Sequence, residues 1–230
     1  MFSVVLANGL FPTSPEPLKA LRRAEAVYCC DGAVHKLASW MGDNADFRDH
    51  RLVLVGDGDS FQPHDLADLR AFFKTRGCSL ETHFESEQEY NDLTKTFRFV
   101  LSQGVGDVVF LGATGLREDH TLGNISLLTY YQSLLPVSGS QPPQPLTMIT
   151  DHGVFTAIGA DATFRSFPNQ QVSLFSMAPH TELTVEGLQY PVEGRRFRQW
   201  WEGTLNAATG SEFAVRTTGP ALVYQTHRAK

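Results

Sequence analysis

The sequence predicts the α/β class in two parts: an N-terminal parallel-sheet α/β domain, then a C-terminal antiparallel β domain built as a sandwich or a barrel. Three observations carry that expectation. Short, unbroken apolar runs alternate with helix-patterned segments through the first half, as parallel strands buried on both faces require. The segment Pro136-Val137-Ser138-Gly139-Ser140-Gln141-Pro142-Pro143-Gln144-Pro145 then breaks every periodic pattern and reads as a linker. Beyond it come only short strand-like runs separated by Gly, Pro and Asn. The domain boundary is set inside the linker, giving residues 1–140 and 141–230.

The elements follow in chain order. Val4-Val5-Leu6-Ala7 reads as the first strand, followed by a Pro-rich turn and a short helix over 18–24. Ala26-Val27-Tyr28-Cys29-Cys30 is the next buried strand; it ends at Asp31-Gly32 and leads into a helix that runs to Trp40. Residues 52–55 form the third strand. A helix over 63–76 places Leu66, Leu69, Phe72 and Phe73 on one side, with Gly77 as its C-terminal cap. Asn91 is an N-cap for a helix over 92–103, in which Leu93, Phe97, Val100 and Leu101 recur at helical spacing. A strand over 107–111 and a helix from about 119 to 135 complete the first part. The expected later strands are 146–150, 154–158, 172–176, 183–185, 213–216 and 221–225.

Composition narrows the function. With 42% hydrophobic and 19% charged residues, 230 residues can bury a real core. A net charge of −6 argues against a nucleic-acid-binding surface but leaves room for a small anion in a local basic or metal-bearing pocket. Cys29, Cys30 and Cys78 cannot build a disulfide framework and read as buried thiols of a reducing compartment. The N-terminal run Met1-Phe2-Ser3-Val4-Val5-Leu6 is too short and too weakly charged for a signal peptide or membrane span, so a cytoplasmic protein without a membrane partner is expected.

The chemistry concentrates where strands end. Asp57 and Asp59 stand in Gly56-Asp57-Gly58-Asp59-Ser60, directly after an apolar strand, where ligands collect in open α/β sheets. Two carboxylates so close repel one another unless a cation or a proton intervenes, and a hard cation such as Mg²⁺ with substrate phosphates is a common solution. An ordinary Asp-Gly surface turn is the alternative for this motif alone. Three further junctions carry polar groups: Asp31-Gly32, Asn91-Asp92-x-x-Lys95 and Arg117-x-Asp119-His120. Asp92 and Lys95 share one face of a helix near its N-terminus, an end suited to phosphate. Taken singly, Asp92 could serve its helix dipole, Asp119 an N-cap, and Arg117, His120 and Asn124 local structure or solvent. Four such groups at equivalent junctions point to one Mg-polyphosphate site. No Walker, dinucleotide or nucleophile-elbow motif is present.

These motifs together resemble thiamine pyrophosphokinases. The family's strand-end Asp-Gly-Gly corresponds to Asp31-Gly32-Ala33, and its Gly-Asp-x-Asp-Ser to Gly56-Asp57-Gly58-Asp59-Ser60. Its Asp-Gln-Asp-x-Thr-Asp-Leu-x-Lys corresponds to the run from Glu87, Gln88 and Glu89 to Asn91, Asp92 and Lys95. Its Gly-Gly-Arg-x-Asp-His-x-x-x-Asn corresponds to the run from Gly115 and Leu116 through Arg117, Asp119 and His120 to Asn124. The second half is similar to the family's β-sandwich more loosely, with Leu205-Asn206 in place of a late Ser-Asn. Ala33, Glu87, Glu89, Asn91, Leu116 and Leu205 depart from the family pattern; the charged site positions do not.

The resemblance implies transfer of diphosphate from ATP to the hydroxyl of thiamine, giving AMP and thiamine diphosphate. It implies an ATP- and Mg-binding catalytic domain and a sandwich that binds thiamine and dimerises. Asp57, Asp59 and Asp92 would hold Mg²⁺, Lys95 and Arg117 would neutralise phosphate, and Asp119 would meet the metal or take the hydroxyl proton. Asp31, Gly32, Ser60, Gln88, Asn124 and Asn206 are the further substrate-binding candidates, Gln88 and Asn206 for thiamine, with Trp200 or Trp201 as aromatic partners. The family organisation implies a homodimer with a shared site. Two alternatives explain less. A sugar-nucleotide glycosyltransferase would use Asp57 and Asp59 but not Asp92, Lys95 or Arg117, and a non-catalytic nucleotide or thiamine diphosphate sensor would not need intact acidic positions.

Overall fold

A computed structural model describes residues 2–59, 61–104, 107–135 and 144–229. The chain divides into two compact units, residues 1–124 and 125–230. Helix α5 (Glu118–Leu134) runs through that division. The boundary expected at 140/141 lies outside the described residues.

In the first unit, β1 (Phe2–Leu6), β2 (Ala26–Cys30), β3 (Arg51–Gly56), β4 (Ser79–Phe84) and β5 (Asp107–Leu111) pair in the order β5-β1-β2-β3-β4. Every pair is parallel. Helices α1 (Pro15–Arg23), α2 (Ala33–Asp43), α3 (Pro63–Lys74) and α4 (Asp92–Ser102) make the crossovers. β2 is buried at every residue and β3 from Leu52 onward, so both sheet faces are covered, as their continuous apolar runs require. α4 starts where expected, because the Asn91 side chain accepts the Thr94 N–H at 2.9 Å and satisfies a free helix donor. α3 ends at Lys74, two residues earlier than the pattern suggested, and Gly77 supplies the left-handed residue (φ 71°) beyond it.

β4 was not expected from the sequence. Its run Ser-Leu-Glu-Thr-His-Phe has no apolar block, and none of its residues is buried. As the edge strand it needs only one neighbour: the ladder to β3 holds it. The bidentate Arg51–Glu81 pair (2.9 and 2.8 Å) and His83 stacked on Phe99 (4.0 Å) add cross-links. Because all five strands run the same way, their carboxyl ends lie on one edge, and the loops starting at Ala7, Asp31, Asp57, Glu85 and Gly112 emerge there.

The second unit contains two antiparallel sheets, which selects the sandwich from the two architectures the pattern allowed. One has the order β12 (Asn206–Ala207), β9 (Gln170–Ser176), β14 (Ala221–Ala229), β7 (Gly153–Ile158), β6 (Leu146–Ile149). The other runs β11 (Val192–Arg195), β10 (Leu183–Glu186), β13 (Glu212–Thr217), β8 (Ala162–Arg165). Val172, Leu174, Leu183, Phe213, Val215 and Val223 belong to one buried cluster drawn from both sheets, and Phe164 stacks on Phe213 at 5.0 Å. β8 and β11 escaped sequence detection because each sends only one side chain fully into that core, Phe164 and Val192 respectively. Among the described residues, no helix is long and apolar enough to cross a membrane.

Candidate active site

Asp57 follows directly on the last residue of β3. One of its carboxylate oxygens accepts the Asp59 N–H at 3.1 Å and the other accepts Gln88 Nε2 at 3.4 Å. The Asp59 N–H, followed by Gln88 and the charge of Lys95, outweighs a small burial effect and holds Asp57 below the usual carboxylate range. Asp92 opens α4 and behaves oppositely. Burial first, then the negative charges of Asp31 and Asp57, push its carboxyl up, with Lys95 opposing. Lys95 lies one turn further on, only 3% exposed, with Nζ 4.0 Å from Asp92 Oδ1. Three strand ends thus bring Asp31, Asp57, Asp92 and Lys95 into one electrostatic cluster. Among the described residues, no three His, Cys, Asp or Glu side chains form a ready-made metal cage.

Asp92 also lines a cleft of about 330 Å³, together with Asn8, Cys30, Arg117, His120 and Asn124. Asn124 donates to the Ala113 carbonyl at 2.8 Å and so ties α5 to the loop after β5. Arg117 forms a two-point pair with Asp119 (3.1 and 2.6 Å), and both side chains are exposed. That pairing lowers the Asp119 carboxyl to about 2. Burial raises the Cys30 thiol to about 12, so it is a neutral wall of the cleft rather than a nucleophile.

The other expected site residues fall in different surroundings. Gly32 caps α2 beside Asn8, where an added Cβ would come within 2.8 Å of the Asn8 amide nitrogen. Ser60 lies outside the described residues. Asn206 belongs to the second unit, where it is 5% exposed. Its carbonyl oxygen accepts the N–H groups of Tyr190 (3.0 Å) and Ala207 (2.9 Å), and its amide donates to the Tyr190 carbonyl (2.8 Å). It lines a pocket of about 300 Å³ together with Tyr190, Arg195, Phe197, Glu202 and Leu205. Trp201 (73% exposed) and Leu205 (77%) are open to solvent nearby, and Trp200 is partly so.

Two of the departures from the family pattern share a backbone property. Leu116 (φ 65°) and Leu205 (φ 64°) occupy the left-handed region, which a residue with a Cβ enters at a cost. Sequence reasoning also missed Asn8 and Gly9 as walls of the cleft. Asn8-Gly9, one residue beyond β1, repeats the pattern of Asp31-Gly32 and Asp57-Gly58, and that repetition was the available signal.

Comparison with known proteins adds an independent line. A family model described as "Thiamin pyrophosphokinase, catalytic domain" matches residues 18–137. Another, "Thiamin pyrophosphokinase, substrate-binding domain", matches residues 153–224. A curated relative, thiamine pyrophosphokinase 1 of Oryza sativa subsp. japonica, is 26% identical over 58% of this chain and 53% of its own length. The matched part is thus about half the length of that relative. Thiamin pyrophosphokinase from Candida albicans has a similar fold, with a TM-score of 0.73 at 17% identity over 98% of this chain and 88% of that one. The Bacillus subtilis enzyme gives 0.73 at 14% identity, covering 99% and 100%. That of Geobacillus thermodenitrificans gives 0.72 at 19%, covering 100% and 99%.

Proposed function

Because the chain belongs to the thiamin pyrophosphokinase family, we propose that it transfers diphosphate from ATP to the hydroxyl of thiamine. The observation that carries this reading is the gathering of Asp31, Asp57 and the buried Lys95 around Asp92, beside a cleft that Asp92 and Arg117 share. In the reaction the hydroxyl oxygen attacks the β-phosphorus, the bond from that phosphorus to the α–β bridging oxygen breaks, and AMP leaves. The hydroxyl proton passes to solvent water. Negative charge moves onto the bridging oxygen, so the protein's task is positioning and charge stabilisation.

Lys95 suits that task because it holds a positive charge out of water without a tight ion pair. Arg117 supplies a second cation at the cleft. Asp57, Asp59 and Asp92 would hold Mg²⁺: their donors are all oxygen, and the mutual repulsion seen at Asp92 is what a divalent cation relieves. Mg²⁺ is usually held by one or two carboxylates plus substrate phosphates, which fits an ion that would arrive with the nucleotide. Such an ion would neutralise phosphate charge.

Asp119, held near 2 by Arg117, has little affinity for a proton. Orienting Arg117 or meeting the metal is therefore the better supported role. Asp31, Gly32 and Asn124 would shape the nucleotide side of the cleft, and Gln88 would steady Asp57. Asn206 would support a thiamine pocket through the Tyr190 backbone, with Trp200 or Trp201 as an aromatic partner. We read the protein as a homodimer with shared sites, a reading supported by the exposed Trp201 and Leu205 on the sandwich. A fully active monomer in sedimentation experiments would reject that arrangement.

The decisive assay is AMP release from ATP and Mg²⁺, with and without thiamine. AMP formed only with thiamine, matched by thiamine diphosphate, supports the proposal. Turnover of a sugar nucleotide instead would support the glycosyltransferase alternative, which leaves Lys95 and Arg117 without a role. Tight binding without turnover would support the sensor.

A further inference from the structure

Lys36 on α2 lies outside every motif considered above. Its Nζ donates to the carbonyl oxygens of two consecutive residues, Asn8 at 2.8 Å and Gly9 at 2.6 Å. Two neighbouring carbonyls turned toward one ammonium fix the direction of the peptide between them, and hydrogen bonds from a charged donor are about twice as strong as neutral ones. Asn8 and Gly9 are walls of the cleft that Asp92 and Arg117 line.

The same loop is pressed against the one that follows β5. Gly9 N–H donates to Gly112 O at 2.7 Å, and Leu10 N–H donates to Thr114 O at 2.9 Å. A Cβ on Gly9 would collide with backbone oxygens of Gly112 and Thr114, so this contact admits no side chain. Ala113, in the middle of that second loop, accepts the hydrogen bond from Asn124. One ammonium therefore anchors a chain of contacts through both walls of the cleft. It also neutralises two carbonyl dipoles beside a site suited to a polyanion.

We propose that Lys36 is a positioning residue for nucleotide binding, holding the Asn8–Gly9 wall in its binding-competent geometry. This rests on the reading that the cleft takes ATP. The experiment compares wild type, Lys36→Met and Lys36→Arg by calorimetric titration with MgATP, by steady-state kinetics, and by thermal melting. Lys36→Met is expected to weaken MgATP binding about tenfold and to raise KM for ATP in step. Its kcat at saturating ATP should stay within about threefold of wild type, and Lys36→Arg should restore most of the binding. A purely structural lysine would lower Tm and the active fraction without changing KM. If Lys36→Met does not melt cooperatively, Lys36→Gln, which keeps a donor but no charge, takes its place in the same comparison.

MgATP binding by the folded variant within twofold of wild type overturns the proposal, as does an equal loss in Lys36→Arg. A wild-type protein that binds no MgATP rejects the functional reading and this inference with it. A wild type that binds MgATP beside an unaffected variant rejects only the role of Lys36.

Discussion

At the carboxyl edge of the parallel sheet, Asp57 and Lys95 sit close enough to Asp92 to shift its ionisation, yet Lys95 approaches Asp92 no nearer than 4.0 Å. In the sandwich, Asn206 does the reverse and gives its amide to the backbone of Tyr190 and Ala207. The first region gathers charge, and at Asp92 burial and neighbouring carboxylates make ionisation unfavourable to folding. The second uses its polar group for rigidity and leaves aromatic and aliphatic surface exposed. A polar residue that lines a pocket is therefore not by itself a ligand contact. What marks Asn206 is that backbone groups already occupy three of its hydrogen-bonding positions.

Substitutions can break or sharpen this contrast. The largest effect is expected at Asp57 and Asp59. Asp57→Asn or Asp59→Asn should lower AMP release by about 10²–10³-fold, the scale of losing one preorganised electrostatic group, with the fold unchanged by circular dichroism. Near-normal turnover of both at low Mg²⁺ would remove them from the site.

Asn206→Ala should act on stability first. It removes the acceptor for two backbone N–H groups and the donor to one carbonyl, at a cost of about 2–4 kcal/mol, read from chemical denaturation. A variant with wild-type stability and a raised KM for thiamine would instead make Asn206 a direct contact.

Asp92→Asn should separate function from stability. The carboxyl of Asp92 is raised in the folded state, so ionising it disfavours folding. That penalty is absent well below the ordinary carboxylate value and grows as pH rises through the raised one. The variant should therefore lose activity yet gain stability relative to wild type at neutral pH, with the gain shrinking in acid. A stability difference between variant and wild type that is the same at pH 7 as in acid well below the ordinary carboxylate value would contradict the raised Asp92 carboxyl, whose first cause is burial.

The smallest effect belongs to the left-handed leucines. Leu116→Gly and Leu205→Gly should each raise stability by about 0.5–1 kcal/mol by relieving backbone strain, measured as a rise in Tm. A loss of stability would mean that each side chain makes packing worth more than the strain.

Much of this was legible in the chain. Runs such as Ala26–Cys30 announce themselves because a strand buried on both faces has no polar positions to confuse its pattern. Asn91 marked the start of α4 because capping is a local interaction. The charged residues of the four junctions were legible by type and position, and the parallel sheet explains why they fall on one edge. β4 was not, because an edge strand half open to water has the composition of a loop. Lys36 was invisible because its partners are main-chain carbonyls, which leave no trace in side-chain identity. Asn206 carried no sign of its structural task, which depends on Tyr190 being folded back beside it.

The parallel order of β1, β2 and β3 has a consequence for how the protein assembles. Each pairing closes a long stretch of chain before any hydrogen bond repays it, so the sheet is slow to nucleate and its carboxyl edge exists only once several crossovers are complete. Asp31, Asp57 and Asp92 consequently meet only in the folded chain, once β2, β3 and β4 have paired. A cation or ligand that relieved the charge gathered there would bind the folded state alone and stabilise it by mass action.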